Sequence, residues 1–286
     1  MKRITKRLRD FNELVMFQHS VFSLPFIFIA MIVSADGWFG FKLLILGAIA
    51  AISARNTAMG FNRYVDRAFD VHNPRTANRP SVDGRLDSAS IAIFTAVNAL
   101  VFVATAYLVN DLAFMVSVPV LIVLLSYSYF KRFSSMAHIV LGISLGLAPM
   151  AGAIAVSAFV PLWSIYLSIG VMFWVAGFDL LYSLQDMDFD KTNNLHSIPS
   201  RYGSRVTMNL SLIFHFLTII FWGLFVAAAN LGSVAQFGIV LSILMLGYEH
   251  YLVRKDFTTI DRAFFTVNGY LGFVFFGCII LDKVIR

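Results

Sequence analysis

Charged side chains are scarce in this chain. Asp, Glu, Lys and Arg make up 13% of its 286 residues, about half of the ~25% that is typical of soluble domains. Hydrophobic residues make up 59%, and the mean hydropathy is +0.78. This composition excludes an ordinary soluble domain. It indicates an integral membrane protein built from apolar runs of about 20 residues.

Cysteine is also nearly absent. The single Cys278 excludes an internal disulfide, and we interpret it as a small packing residue. No Cys/His spacing suits zinc. We interpret His19, His196 and His215 as core or loop residues without a chemical role. The basic N-terminal stretch "MKRITKRLRDFNEL" precedes a run long enough to span, with no clear cleavage site, so we expect no cleavable signal peptide.

Long apolar runs fill most of the sequence and predict an all-α membrane protein in a lipid bilayer. Short polar breaks such as "VNDL" and "NLGS" separate neighbouring runs. The predicted chain is a single transmembrane domain over residues 1–286 with nine spans. These are residues 14–35, 40–62, 88–109, 111–130, 137–158, 162–186, 206–229, 234–253 and 263–281.

Basic residues predict the orientation of these spans. Of the 22 Lys and Arg residues, 18 lie before the first span or in the loops after the second, fourth, sixth and eighth. The positive-inside rule therefore places the N-terminus in the cytoplasm and the C-terminus outside, in the periplasm. Topology also accounts for the net charge of +6, so we expect no nucleic-acid partner.

Three oxygen-bearing side chains follow the second span at four-residue spacing. They are Asn62, Asp66 and Asp70 in "FNRYVDRAFD", and this spacing places them on one face of a helix. The sixth span ends in a similar way, in "FDLLYSLQDMDFD".

In that second stretch, Asp186, Asp190 and Asn194 each follow a member of the first set by 124 residues, which indicates a weak internal duplication. Asp188 lies on another face and is interpreted as a solvated loop charge.

Two carboxylate clusters on one side of a membrane repel each other unless a cation lies between them. Mg²⁺ prefers oxygen ligands and keeps coordination sites open for water and phosphate. We therefore predict that the two clusters hold a diphosphate through Mg²⁺, which neutralises phosphate charge. The candidate metal ligands are Asn62, Asp66, Asp70, Asp186 and Asp190.

With these motifs the chain resembles the UbiA superfamily of intramembrane prenyltransferases. The resemblance covers almost the whole chain and rests on "NRYVDRAFDVHNPRTANRP", "DLLYSLQDMDFD" and "YSYFKR". It implies nine helices around a central cavity, a polyprenyl diphosphate donor, Mg²⁺ and an aromatic acceptor. It adds Asp179 and Tyr182 to the candidate site, within the acidic motifs at 62–70 and 179–190.

Within the superfamily, "RTANRP" and "FSLPF" make the chain most similar to 4-hydroxybenzoate polyprenyltransferases. The resemblance then implies a Mg²⁺-dependent electrophilic aromatic substitution in ubiquinone biosynthesis, in a bacterial inner membrane. A related branch prenylates a dihydroxynaphthoate in an alternative route to menaquinone. The sequence leaves both acceptors open.

Basic and aromatic residues near the motifs are candidates for the diphosphate. Lys131 and Arg201 can donate charge-assisted hydrogen bonds to phosphate, and Tyr127 lies one helical turn before Lys131. The alternatives are a purely topological role for the two cations and an interfacial position for the tyrosine.

An aromatic acid also needs an anchor for its carboxylate, which arginine provides through two parallel hydrogen bonds. The resemblance suggests Arg67 and Arg132 for this role. Arg55 lies within a span, seven residues before Asn62, and either binds the acceptor or forms an ion pair with Asp179. Asp179 either orients Arg55 or accepts a proton.

A secondary transporter is the rival prediction, since intramembrane carboxylates and an internal repeat suit that class as well. However, the carboxylates cluster at one face of the membrane and not at its midplane. The repeat also spans four helices, so it is parallel and not inverted. We therefore favour the enzyme.

Overall fold

The computed structural model describes residues 2–16 and 24–286, and within these ranges the regular secondary structure is entirely helical. Side-chain caps begin several helices: Asp87 accepts from the N–H of Ser90, and Asn110 accepts from that of Ala113. The helices are α1 (Lys2–Leu14), α2 (Leu24–Ala35), α3 (Phe41–Val65), α4 (Arg67–Asp70), α5 (Ser88–Val109), α6 (Asp111–Phe130), α7 (Ala137–Ser157), α8 (Leu162–Tyr182), α9 (Met187–Thr192), α10 (Ile198–Ala228), α11 (Ser233–Lys255), α12 (Ile260–Arg262) and α13 (Asn268–Ile285).

Eight helical stretches of this described part are long and apolar enough to cross a bilayer. They correspond to the second to ninth predicted spans. Of the first predicted span, 14–35, the structure describes α2, whose 12 residues are fewer than the ~20 that a crossing needs. Residues 17–23, with His19, lie outside the described residues.

The seventh span begins earlier than predicted, at Ile198 and not at residue 206. Ser197 caps the helix by accepting from the N–H of Ser200, whose side chain accepts from the N–H of Ser197 in return. The chain then bends at Gly203, where φ is 79°. Polar residues in this first turn hid the start of the helix from a search for apolar runs.

Large aromatic side chains pack between α2, α8, α10 and α13. Trp174, Trp222, Phe225 and Phe275 are all fully buried, and the Trp222 and Phe275 rings stack with centroids 4.8 Å apart. Gly170 permits this packing, because a Cβ atom there would lie 2.3 Å from the Trp222 ring. This cluster fixes the positions of the helices that carry the second acidic motif.

Helices α7 and α8 approach each other closely through small residues. A Cβ atom at Gly142 would lie 2.4 Å from the carbonyl oxygen of Met172, and one at Gly146 would lie 2.8 Å from that of Ser168. Small residues at four-residue spacing let membrane helices pack backbone to backbone. Any side chain at either glycine would therefore separate the two helices.

Two adjoining cavities occupy the other side of the bundle. A polar cavity lies at the end of the bundle that carries both acidic motifs. An apolar cavity lies between α2, α3, α5, α6 and α7. Four residues line both of them, namely Met59, Asn62, Tyr127 and Leu141. These four residues mark the junction of the two cavities.

Candidate active site

The first acidic motif lies where α3 ends. After Val65 the chain turns at Asp66 and continues as the short α4. Because the N–H of Asp66 bonds to the carbonyl of Asn62, and that of Asp70 to the carbonyl of Asp66, both at 2.9 Å, the four-residue spacing survives the turn. All three motif residues line the polar cavity.

Asn62 orients its neighbour. Its Nδ2 donates to Oδ2 of Asp66 at 2.7 Å, and its Oδ1 accepts from Nη1 of Arg63 at 3.1 Å. Arg63 is 5% exposed and also donates to the carbonyl of Leu14 in α1. In this arrangement Asn62 is a hydrogen-bond donor to Asp66, and its carbonyl oxygen, the atom that a cation needs, is held by Arg63.

Asp70 is paired with an arginine of the loop that follows. Nη1 of Arg79 lies 2.7 Å from each of the two carboxylate oxygens of Asp70. Thr76 donates its hydroxyl to the backbone carbonyl of Asp70 at 2.7 Å, which folds the loop back over the motif. The loop between α4 and α5 therefore supplies the positively charged guanidinium of Arg79 to the first motif.

The second acidic motif lies where α8 passes through a 3₁₀ turn, Ser183–Asp186, into α9. Tyr182, Asp186 and Asp190 line the same polar cavity as the first motif. The structure thus brings the two motifs together, although more than a hundred residues separate them in sequence.

Asp186 is held by the same loop. Nε and Nη2 of Arg75 donate to its two oxygens at 2.9 and 2.5 Å, and Nδ2 of Asn73 donates at 3.2 Å. Nη1 of Arg75 also reaches the hydroxyl of Tyr182 at 3.2 Å. A bidentate guanidinium–carboxylate pair is a strong, oriented contact. Each motif therefore has one aspartate bonded to a loop arginine.

The predicted duplication aligns the two motifs in a different register from the one that the cavity-lining residues show. Asn194 is exposed, with φ of 53°, beyond the end of α9. The three cavity-facing residues of the second motif each follow one of the first by 120 residues, not 124. Tyr182 therefore stands where the first motif has Asn62. Asp188 is exposed, as predicted.

Three of the predicted basic and aromatic residues line the polar cavity: Tyr127, Lys131 and Arg132. Nη2 of Arg132 donates to the carbonyl of Val65 at 2.9 Å and lies 3.4 Å from Oδ1 of Asp66. Its guanidinium group is thus engaged with the end of α3.

Two predicted arginines lie outside the lining of both cavities. Arg67 donates to the hydroxyl of Ser88 at 2.6 Å. Arg201 is exposed, and its guanidinium lies 5.4 Å from the ring of Tyr202. The structure does not bring these two residues to the site.

Burial and neighbouring charges raise the pKa values of two groups of the site, Asp66 and Lys131. Burial, together with the charge of Asp70, raises the pKa of Asp66 above its ordinary value. Burial lowers the pKa of Lys131, but Tyr127 and the carboxylates of Asp190 and Asp186 outweigh it, and the net pKa is raised. The carboxylates thus hold Lys131 in its charged form.

The donor set suits a hard cation that arrives with its substrate. Oδ2 of Asp190 is buried without a hydrogen-bond partner among the residues that the structure describes, and such an atom calls for a ligand. Residues 2–16 and 24–286 contain no preassembled group of three or more His, Cys, Asp or Glu ligands. Mg²⁺ is usually bound by one or two carboxylates plus substrate phosphates, and the residues present fit that mode.

Arg55 lies on the wall of the apolar cavity, together with Asn62 and Tyr127. Its Nε is buried without a hydrogen-bond partner among the described residues. The predicted alternative, an ion pair with Asp179, is not formed. Oδ2 of Asp179 instead lies 2.7 Å from Nδ1 of His138.

Residues 23–277 match the UbiA prenyltransferase family. This chain belongs to that family. The resemblance noted in the sequence and the assignment of the chain as a prenyltransferase are thereby confirmed, and the transporter alternative is set aside. Its apolar helices make it a multi-pass membrane protein.

The UbiA-family chain is similar to curated relatives over most of its length. It is 30% identical over 248 residues to a 4-hydroxybenzoate octaprenyltransferase of Albidiferax ferrireducens, with 86% of this chain and 83% of the relative covered. It is 26% identical over 257 residues to the protein of the same name from Janthinobacterium sp., with 90% of each covered.

Solved structures agree with the fold. The apo structure of a UbiA homolog from Aeropyrum pernix K1 is 30% identical, with a TM-score of 0.84, over 92% of this chain and 98% of that one. A UbiA homolog from Archaeoglobus fulgidus bound to DMAPP and Mg²⁺ is 17% identical, with a TM-score of 0.78, over 97% and 100% of the two chains. At that identity the second likeness shows the fold alone.

Sequence reasoning missed several side chains of this UbiA-family site. The positive-inside bias accounts for Arg63, Arg75 and Arg79 by topology alone, and Asn73 and His138 are not among the predicted site residues. The signal that could have found the loop residues is the density of Asn and Arg in "HNPRTANRP" directly after an acidic motif. No local signal marks His138, because its partner Asp179 is 41 residues away.

Proposed function

We propose that this protein transfers a polyprenyl group from a polyprenyl diphosphate to a hydroxylated aromatic acid of the 4-hydroxybenzoate type, in a Mg²⁺-dependent reaction of quinone biosynthesis. The observation that carries the proposal is the junction of the two cavities. A carboxylate-lined polar cavity, suited to a metal diphosphate, adjoins an apolar cavity in which the Nε of Arg55 has no hydrogen-bond partner among the described residues. A donor with a charged head and an apolar tail requires such a pair of cavities.

The diphosphate binds in the polar cavity. When bound, Mg²⁺ neutralises phosphate charge and improves diphosphate as a leaving group. Asp66, Asp70, Asp186 and Asp190 would hold it, with Asn62 orienting Asp66. Lys131 lies among these carboxylates in its charged form and donates to the phosphate oxygens.

The loop arginines take part in the same binding step. Arg75 and Arg79 now neutralise Asp186 and Asp70. With a cation held at these carboxylates, the two guanidinium groups would be free to donate to the phosphate, a geometry for which arginine is suited.

The acceptor carboxylate binds to Arg55. Among the candidate anchors, Arg132 is bonded to the end of α3 and Arg67 to Ser88. Only Arg55 of these three lies in the apolar cavity. An arginine buried within a membrane protein is costly unless an anion compensates it, and the acid supplies that anion.

The reaction is an electrophilic aromatic substitution at the junction. The bond between the prenyl carbon and the diphosphate oxygen breaks, and the ring carbon ortho to the hydroxyl attacks the allylic cation. The ring proton then leaves, which restores aromaticity. The apolar cavity excludes water, which would otherwise quench the cation, and the aromatic ring of Tyr127 at the junction stabilises positive charge.

The decisive experiment is a panel of acceptors with one labelled prenyl diphosphate and purified protein. We expect product with 4-hydroxybenzoate and none with phenol, which lacks the carboxylate. Product with a dihydroxynaphthoate alone would assign the alternative menaquinone route. A product that depends on the prenyl diphosphate but forms with neither of these two acids would overturn the proposal.

We further propose that the chain is a single domain with nine crossings in a bacterial inner membrane, with the N-terminus cytoplasmic and the C-terminus periplasmic. In a Cys278→Ala background, Ala77→Cys tests the loop between α4 and α5, where Ala77 is exposed. An impermeant thiol reagent should label it only from the cytoplasmic side. Ser233→Cys, exposed at the start of α11, is the matched control and should be labelled only from the periplasm. Reversed labelling of both would overturn the orientation.

A further inference from the structure

His138, which is buried, and Asp179, which is partly buried, form a pair on facing helices, next to the junction of the two cavities. Nδ1 of His138 lies 2.7 Å from Oδ2 of Asp179. His138 is 1% exposed, whereas Asp179 lines the polar cavity. The imidazole therefore lies behind the carboxylate, and only the carboxylate faces the space that substrates occupy.

The packing of α7 on α8 fixes this pair. His138 lies one helical turn before Gly142, which contacts the backbone of α8 at Met172, and Asp179 lies two turns beyond Met172. Because the two backbones touch at Gly142, the separation between the imidazole and the carboxylate is set by rigid helices. Neither helix can shift without losing the contact.

The tautomer of His138 follows from its surroundings. Its Nε2 is buried with no hydrogen-bond partner in the described part of the chain. A buried N–H donor left unpaired is unfavourable, so the proton of the neutral imidazole is placed on Nδ1, where it can be donated to Asp179. Histidine thus supplies one fixed donor to one carboxylate oxygen.

Asp179 differs in its partner from three of the four motif aspartates. Asp70, Asp186 and Asp66 lie against arginines, whereas the carboxylate of Asp179 lies against the imidazole of His138. Because this carboxylate also lines the polar cavity, it can accept a proton from a bound substrate.

The position of the pair matches the place where the ring must react. Leu141, one turn after His138 on the same face of α7, lines both cavities. Asp179 lies close enough to Tyr127 and Lys131 to affect both electrostatically. An acid anchored at Arg55 whose ring reacts with the allylic cation at the junction would present that ring between these groups.

We propose that Asp179 accepts the ring proton in the last chemical step and that His138 is the positioning residue that orients its carboxylate. This inference rests on the proposed function. The carbon–carbon bond is already formed when the ring C–H bond breaks. The electron pair of that bond returns to the ring, the proton goes to the free oxygen of Asp179, and the carboxylic acid later releases it to water with the departing diphosphate.

The test uses the full chain in detergent, geranyl diphosphate, Mg²⁺ and 4-hydroxybenzoate deuterated at both ring carbons ortho to the hydroxyl. His138→Leu removes the donor. We expect kcat to fall by about 10- to 100-fold, less than the ~10²- to 10⁴-fold that a general acid or base itself contributes, with the KM for geranyl diphosphate unchanged and a deuterium isotope effect larger than in the wild type. Asp179→Asn should lose more activity.

His138→Asn is the matched control, since an asparagine amide can place a donor near the position of Nδ1. It should restore most of the activity and return the isotope effect to the wild-type value. A His138→Leu variant with the wild-type isotope effect, or with a raised donor KM as its main defect, would overturn the positioning role while leaving the proposed function in place. A wild-type protein that binds geranyl diphosphate with Mg²⁺ but prenylates no aromatic acid would overturn both.

Discussion

The two sides of the helical bundle are packed in opposite ways. On the side formed by α8, α10, α11 and α13, 67% of the apolar stretch within Leu162–Thr192 is buried inside the protein. On the side formed by α3, α5 and α6, the buried share is 17% for both Phe41–Val65 and Asp111–Phe130. The first side is filled by Trp and Phe rings, whereas the second surrounds a cavity with small side chains such as Ala50, Ala54 and Ala58.

This difference separates two requirements that a membrane enzyme must meet. The packed side needs volume, because its aromatic cluster keeps the second acidic motif in place. The cavity side needs space and a few charges, because it receives substrates. Changes of volume should therefore matter most on the packed side, and changes of charge on the cavity side.

The largest expected effect is the removal of a motif carboxylate. Asp66→Ala or Asp190→Ala should lower kcat by roughly 10³-fold or more, since metal-assisted stabilisation of the leaving group contributes several kcal/mol. Thermal unfolding should change little, and EDTA should abolish wild-type turnover. Asp188→Ala, an exposed neighbour, is the control and should remain active. Full activity in EDTA would refute the metal role.

The second largest expected effect is a loss of stability when a buried ring is removed from the packed side. Trp222→Ala removes a fully buried ring that is stacked on Phe275, and we expect it to lower the free energy of unfolding by about 3–5 kcal/mol. Val116→Ala, on the wall of the apolar cavity, should cost less than about 1 kcal/mol. Unfolding curves of both variants in one detergent measure the contrast, and equal losses would remove the distinction between the two sides.

A third prediction concerns protons and metal at Asp66. Because the pKa of this buried carboxyl is raised, a proton binds to it more readily as pH falls, and this proton competes with Mg²⁺. Stabilisation by Mg²⁺, up to about 2.7 kcal/mol at a hundredfold excess over Kd, should therefore be larger at neutral pH than in mild acid. Asp66→Asn should reduce both the stabilisation and its pH dependence. A stabilisation that grows as pH falls would contradict this sign.

The smallest effect tests the single arginine of the apolar cavity. Arg55→Lys keeps the charge but loses the planar pair of donors, and we expect the KM for the aromatic acid to rise by roughly thirty-fold, equivalent to about 2 kcal/mol. The KM for the prenyl diphosphate should stay unchanged. Arg132→Lys is the comparison variant, and a larger effect there on the KM for the acid would move the anchor from Arg55 to Arg132.

The membrane class, eight of the helices and both acidic motifs can be predicted from the sequence alone. Apolar runs of spanning length and four-residue spacing are local properties, so they can be read along one segment at a time. The caps at Asp87 and Asn110 and the exposure of Asp188 are of the same kind.

Which side chains meet depends on the tertiary packing of the helices. The pairs Arg75–Asp186 and His138–Asp179 join residues 111 and 41 positions apart, and no periodicity along the chain encodes such contacts. The same holds for the register of the second motif, where Asn194 is left-handed and exposed beyond α9, and Tyr182 lines the cavity at the position that corresponds to Asn62. Helix spacing fixes the face on which a residue lies, but the partner on that face depends on how the helices pack, which the aromatic cluster and the α7–α8 glycines determine.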